Sequence, residues 1–473
     1  MSQDPGIAEI LMHVDSDFIV NTLKNVDMLN QSFLTDALFN VDSRAIQPGE
    51  IFIALSGQKV DGHNFVGQAL ERGASGFILA ASRKDELLQK YSKELATKSV
   101  LFVPDTYKAL IDLARAWRAQ FSYPVIGITG SVGKTTTKEM VRNILKVADL
   151  SAVVSSGNQN TMIGASLNIL KMRPTHKVAV FELGISEIGS MKQLADLVRP
   201  TYAVITHIGH SHLAGLDDVA TIAREKREIF SCFTEQDIGI INGDQPELSK
   251  VSYQHPVIRF GKKTINQIQA RKIVCSRNTI SFIVKIYNKR YSVVLPTCNE
   301  ARVMNALAAM TIGHMVGVSD ELLIKGVEQP IVTEGRFQMI THTSGATLIN
   351  DAYNANPESM KASLVAFDHY MTDQNKIIVL GDMLELGEES AFWHRQIGRF
   401  LRKVDKLTQV ILVGHEVEMI KKTLPYGIKC QIFAKAEDAY ETLRPMVLNP
   451  QNVMLFKASR SMRFAELIKK LQA

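Results

Sequence analysis

The stretch GITGSVGKTTTKEM, Gly127–Met140, decides the fold. An apolar run, VIGIT, stops at a glycine turn and passes through a lysine and three threonines into a helical pattern. A strand that runs into such a turn and then a helix points backbone N–H groups and a positive helix end at one spot, where a phosphate chain fits. In this reading Gly130, Ser131, Val132 and Gly133 form the cradle, and Lys134 reaches the β and γ phosphates. The Thr135 hydroxyl serves as a magnesium ligand, and Thr136 completes the set. Ile128 stands where the full phosphate-loop pattern has one more glycine, so a plain strand-to-helix turn is the alternative.

Outward from the loop, short apolar runs at VAVFELG (Val178–Gly184), YAVITHIG (Tyr202–Gly209) and DIGIING (Asp237–Gly243) alternate with helix-length segments. That rhythm predicts a parallel sheet covered on both faces. From Ile331 the rhythm restarts with ATLIND, KIIVLGDM, QVILVGHE and VMLFKAS, as in a Rossmann-like unit. Upstream, GEIFIALSG (Gly49–Gly57) reads as a strand, and FVGQALERGASGFILA (Phe65–Ala80) as a helix followed by a strand. The expected class is α/β with three domains: a small mixed α/β N-terminal domain (1–105), a central P-loop parallel-sheet domain (106–330) and a C-terminal Rossmann-like domain (331–473).

The bulk properties narrow the function. A chain of 473 residues with 46% hydrophobic content has material for several cores. Its net charge of +6 comes without any run of more than two Lys or Arg, which points to anionic small substrates rather than nucleic acid. Cys232, Cys275, Cys298 and Cys430 show no C-x-x-C spacing, so neither a disulfide framework nor a zinc site is indicated. No stretch of eighteen apolar residues occurs and MSQDPG carries no export signal, so the expectation is a cytoplasmic protein without a membrane span.

Magnesium takes hard oxygen ligands, and Glu182 ends a strand at the sheet edge where ligands of such folds bind. An ordinary strand-end acid is the competing reading. His207, His210 and His212 follow the next strand, with no cysteine partners to suggest zinc, and AREKREIF (Ala223–Phe230) begins a helix that could be merely a charged, solvated face.

In order along the chain, GSVGKTT, FELG, SHLAGL with AREKREIF, NALAAM (Asn305–Met310), EGRF (Glu334–Phe337) and NDAYNANPESM (Asn350–Met360) resemble the Mur ligases, ATP-dependent amide ligases of peptidoglycan synthesis. The segments DSRAIQPGEIFIALSG, DGHNF (Asp61–Phe65), VLGDMLELG and KASRSMR (Lys457–Arg463) extend the likeness over nearly the whole chain. The resemblance implies that Lys134 and Thr135 bind ATP phosphates and a first magnesium ion, with Glu182 as a metal carboxylate. It implies that His212 and Lys226 serve a second magnesium ion, the lysine as a carbamate. Asn305 would contact adenine, Arg336 a phosphate and Asp351 the ribose; Lys134, His212, Lys226 and Arg336 would be the catalytic set. Ser43 and Arg44 would lie at the uridine nucleotide, Asn158 and Asn160 near the muramoyl peptide, and Asn354 and Asn356 where the C-terminal domain closes.

The substrates so implied are UDP-MurNAc-tripeptide and D-Ala-D-Ala, joined by a monomer through an acyl phosphate, with ADP and phosphate released. The chain departs from the family pattern at three places: Ala301 and Arg302 replace a His-Asn pair, Ala458 a glycine, and Thr161 an asparagine. Asn299 lies near enough in sequence to compensate for the first. Two other readings compete. A folate polyglutamate ligase would share the loop but not the DSR, DGHNF or AYNANP segments, and an ATP-driven switch would need only the central block.

Overall fold

The computed structural model describes residues 13–24, 26–30, 36–57, 60–185, 187–211, 213–216, 218–276, 278–370 and 374–472. Three sheets organise it. The N-terminal sheet has five strands in the order Asp27–Met28, Ser99–Val103, Gly76–Ala80, Ile51–Ile53, Phe39–Asn40, parallel apart from the first. The helix Thr106–Arg118, capped by the Asp105 carboxylate, ties this unit to the next. Its Thr106 hydroxyl donates to the Ala54 carbonyl at 2.8 Å, while Trp117 Nε1 donates to Met172 O at 3.1 Å. Arg118 is buried, and its guanidinium is satisfied by the carbonyls of Val198, Phe121 and Arg199 at 2.7–2.8 Å.

The central sheet has nine strands. Val125–Thr129 lies between Tyr202–Ile205 on one side and Val178–Glu182 on the other, and Ala152–Val154 closes that edge. The chain therefore leaves Val125–Thr129 toward one edge and later returns on the opposite side, making a switch point where a crevice opens beyond the strand ends. Successive residues face opposite layers. Ile126, Ile128, Val180 and Val204 pack with Val141, Ile144 and Met310, whereas Phe181, Ala203 and Ile205 pack with Leu194 and Leu213. The Val, Leu, Ile, Phe and Met side chains among them each contribute about 1.5–3 kcal/mol on burial.

The expected parallel sheet runs through seven strands, from Ala152–Val154 across to Ile268–Cys275. Beyond Ile238–Asn242 and Val257–Gly261 the sheet continues into an antiparallel meander, Ile268–Cys275, Ile280–Ile286 and Lys289–Leu295. Along Ile280–Ile286 the side chains alternate between buried and more exposed, the pattern of a sheet covered on one face.

The C-terminal sheet runs Gln338–Thr341, Thr347–Asn350, Asn452–Lys457, Asn375–Gly381, Leu407–Val413, Lys429–Phe433, parallel but for its first strand. Among the described residues no helix is long and apolar enough to cross a membrane.

Candidate active site

Gly130 and Gly133 hold φ of +148° and +89°, conformations open to glycine at little cost, and they turn the chain from strand end into the helix Lys134–Val147. The first N–H groups of that helix have no intrahelical partner and face the turn. Lys134 Nζ folds back to donate to the Gly130 carbonyl at 2.6 Å, and burial lowers its pKa, opposed by nearby Glu182 and reinforced by Arg336. Ser131 is tied to the loop after the next strand: its N–H donates to His207 O at 2.7 Å, and its hydroxyl donates to Gly209 O at 2.9 Å. Thr206 Oγ1 donates to Val132 O at 2.6 Å. Thr135 is buried, and Thr136 faces the cavity described below.

Glu182 is 1% exposed at its strand end. Asn160 Nδ2 donates to its Oε1 at 3.0 Å, while Oε2 accepts no hydrogen bond, and Lys138 Nζ stands 3.8 Å from it. A buried carboxylate oxygen without a donor, near Lys134 at the head of the phosphate-loop helix, suits a hard cation that keeps its remaining ligands as phosphate and water. Among the described residues no three His, Cys, Asp or Glu side chains form a metal cluster.

Lys226 is 1% exposed, and its pKa lies well below the ordinary lysine value because of burial and then the charge of Lys134. Its sequence neighbours Arg224 and Arg227 turn elsewhere. Arg224 bonds the Thr221 hydroxyl and Arg227 the Glu247 carbonyl. Glu225, between them, accepts the N–H groups of Gly189 and Met191 at 3.0 and 2.8 Å, so the charged AREKREIF segment is partly turned inward. His212 lies outside the described residues. His207 borders the cavity with a pKa lowered by burial, and His210 pairs with Glu358.

A cavity of about 430 Å³ separates the central and C-terminal domains. One wall holds Val132, Gly133, Thr136, Asn299, Arg302 and Asn305; the other holds Arg336, Asp351, Glu358 and Lys457. Arg336 stacks 4.0 Å from the Tyr353 ring centre, and its buried Nε has no hydrogen-bond partner. Asp351 accepts from Phe337 N at 2.9 Å, from Lys457 Nζ at 2.8 Å and from the Ser363 hydroxyl. Arg302 Nη2 donates to Arg336 O at 3.3 Å, so the replacement for the family asparagine bridges the two walls. Asn299 also lines this cavity.

The other candidates are dispersed. Asn158 lies beside Tyr353, whereas Asn160 is engaged with Glu182. Thr161 caps the helix Met162–Ile169, accepting Gly164 N at 3.4 Å, a task open to an asparagine side chain as well. Asn354 is exposed, and its carbonyl accepts from Lys457. Asn356 is a helix cap: its Oδ1 accepts Ser359 N at 2.8 Å at the head of the helix Pro357–Tyr370. In the N-terminal domain Ser43 is buried and donates to Gln68 at 2.6 Å. Arg44 is exposed and held by Asp42 through bonds of 2.9 and 2.8 Å. That pairing, chiefly its hydrogen bond, lowers the Asp42 pKa.

Lys138 and Lys457 escaped the sequence reading as site residues. Lys138 sits four positions after Lys134, one helical turn on, so spacing alone could have flagged it. Lys457 was inside the quoted KASR motif, but its bond to Asp351 spans 106 positions and left no local signal.

Comparison with known proteins gives matches along most of the chain. The Mur ligase family catalytic-domain model matches residues 38–118, the Mur ligase middle-domain model 128–313, and the Mur ligase glutamate ligase domain model 335–460. A UDP-N-acetylmuramoyl-tripeptide–D-alanyl-D-alanine ligase of Bacillus subtilis is 32% identical over 96% of this chain and 98% of its own. A crystal structure of MurF from Acinetobacter baumannii superposes with a TM-score of 0.82 at 28% identity, covering 98% of this chain and 99% of the other. The MurF ligase of Thermotoga maritima in complex with ADP gives 0.76 at 27% identity, over 92% and 97% of the two chains.

Proposed function

The chain belongs to the Mur ligase family, and from that premise we propose that it is the ATP-dependent ligase that adds D-Ala-D-Ala to UDP-MurNAc-tripeptide in peptidoglycan precursor synthesis. The observation that carries this reading is the two-walled cavity, with a phosphate loop from one domain and Arg336, Asp351 and Lys457 from another. ATP held there is gripped by both domains at once. One chain supplies both walls, so a monomer suffices. Four cysteines free of disulfides fit a reducing cytoplasm.

Joining a carboxylate to an amine in water is uphill, so the tripeptide carboxylate is first activated. Its oxygen attacks the γ-phosphorus of ATP, the bond to the bridging oxygen breaks, and ADP departs. The amine of D-Ala-D-Ala then attacks the acyl carbon, loses a proton and expels inorganic phosphate. This chain's part is positioning and electrostatics. Lys134 and the loop N–H groups stabilise charge on the transferred group, and Arg336, with its unpartnered Nε, faces the same region. Asn305 and Asn299 offer polar groups for the base, and Asp351 an acceptor for a ribose hydroxyl.

Glu182 and Thr135 would hold one magnesium ion, and His212 with Lys226 a second. When bound, magnesium offsets phosphate charge. Lys226 would enter that shell as a carbamate: burial favours its neutral amine, which adds carbon dioxide to give an oxygen-bearing anion. Lys226→Ala should lose activity and regain part of it with a short-chain carboxylic acid; full activity of the variant by itself would defeat the carbamate. Ser43 and Arg44 take the uridine end in this reading, with Asn158 near the muramoyl peptide. Phosphate release is the test of the whole proposal. It should require UDP-MurNAc-tripeptide and D-Ala-D-Ala together, and release with either substrate alone at the same rate would refute it.

A further inference from the structure

The segment Thr206–Ser211 touches the phosphate loop on one side and the C-terminal domain on the other. Toward the phosphate loop, Ser131 and Gly209 exchange hydrogen bonds, the serine hydroxyl donating to Gly209 O at 2.9 Å and accepting from Gly209 N at 3.0 Å. One residue further, the His210 N–H stands 3.2 Å from both Glu358 carboxylate oxygens, and His210 Nδ1 is 2.6 Å from Oε1. The imidazole lies 4.3 Å from the Trp393 ring centre, and Lys361 Nζ is 5.0 Å from that same indole. Glu358, Lys361 and Trp393 belong to the C-terminal domain, on the helices Pro357–Tyr370 and Ser390–Phe400.

The segment has little slack. Gln245 clamps Ile208 by accepting its N–H at 2.7 Å and donating to its carbonyl at 2.8 Å. At Gly209 the Glu358 carboxylate packs directly on the backbone, so a Cβ there would lie 2.8 Å from Glu358 Cδ. A shift of the C-terminal domain that carries Glu358 away must therefore either break the bonds to His210 or pull on the residue that holds Ser131.

We infer that His210, Glu358 and Trp393 form an interdomain clasp through which docking of the C-terminal domain sets the phosphate loop for phosphoryl transfer. They are positioning residues for the ligase reaction, so the inference rests on the function proposed above. The bonds from a carboxylate to N–H groups are the stronger kind, and the indole fixes the ring's orientation. A clasp on the bistable element between two domains biases closure, and closure completes the site.

The test is steady-state kinetics on the full chain for wild type, His210→Ala, Glu358→Ala, Glu358→Gln and the double alanine variant. Each alanine change should lower kcat about tenfold, while KM for UDP-MurNAc-tripeptide stays within about twofold. The double variant should be no slower than the worse single one, because both remove the same contact. Glu358→Gln, which keeps an acceptor for the histidine, should recover most of the loss. His210 is the informative member because, unlike Glu358, it does not border the nucleotide cavity. Small-angle scattering with ADP should show compaction for wild type and less for His210→Ala. Unchanged kcat in folded His210→Ala, or strictly additive losses in the double variant, would overturn the clasp. A wild-type chain that fails to ligate would instead overturn the functional proposal, and the two failures are separable.

Discussion

Replacing Gly133 by alanine separates two penalties that the structure predicts in different amounts. Gly133 holds φ +89°, and a Cβ there would lie 3.3 Å from Asn305 Cγ and closer still to its Oδ1. Gly317, just beyond the helix Ala301–Met315, holds φ +84° with nothing within 4 Å of the corresponding Cβ. Gly317→Ala therefore measures left-handed strain alone, about 1–2 kcal/mol. Gly133→Ala adds overpacking against Asn305, about 1–3 kcal/mol more, for a total of about 2–5 kcal/mol. The clash has an outlet, because the Asn305 side chain is only half-buried and can swing into the nucleotide cavity it borders. The variant should thus also lose nucleotide affinity, with the KM for ATP rising about tenfold and that for UDP-MurNAc-tripeptide unmoved. Urea denaturation of the three proteins gives the stabilities, and initial rates give the KM values. Adding Asn305→Ala to Gly133→Ala should bring the stability back toward that of Gly317→Ala while leaving ATP binding weak. A Gly133→Ala protein as stable as Gly317→Ala, with wild-type KM for ATP, would refute the packing of Asn305 on the phosphate loop and the cavity assignment with it.

Lys134→Met keeps the stem and removes the charge; kcat should fall about a hundredfold or more, and turnover near wild type in the folded variant would remove Lys134 from the reaction. Lys457→Met leaves Asp351 buried with only the Phe337 N–H and the Ser363 hydroxyl, and should cost about 3–5 kcal/mol in urea denaturation. Arg44→Ala should raise KM for UDP-MurNAc-tripeptide about tenfold and leave that for ATP within about twofold; an equal rise in both would contradict a separate uridine site. Cys298 is buried with its thiol pushed up to about 11, so at pH 8 only about one thiol in a thousand is ionised, and mass spectrometry should find it alkylated far more slowly than half-buried Cys232.

Local chemistry settled a good part of this in advance. The strand, glycine turn and helix of Gly127–Met140 are set by residues adjacent in the chain, because the left-handed turn needs glycine at Gly133 wherever the rest of the molecule lies. The alternation of apolar runs with helical segments likewise carries the three-domain α/β class, since each run must bury both faces. The placing of Lys134, Thr135 and Thr136 at the head of the helix was legible for the same reason.

What the linear pattern left open depended on partners far away in the chain. The meander Ile268–Leu295 reads as ordinary alternating strands, and only their pairing makes them an antiparallel extension of a parallel sheet. Asn356, expected where the C-terminal domain closes, is also a helix cap, because Ser359 closes the turn upon it. The lowered pKa of Lys226 comes from burial and from Lys134, 92 positions away, whereas its sequence neighbours Arg224 and Arg227 turn to other partners. The clasp of His210 with Glu358 joins residues 148 positions apart, so no spacing rule foretells it. Propensity and turn chemistry act over a few residues and are written in the sequence; desolvation and charge pairing depend on which surfaces the folded chain brings together.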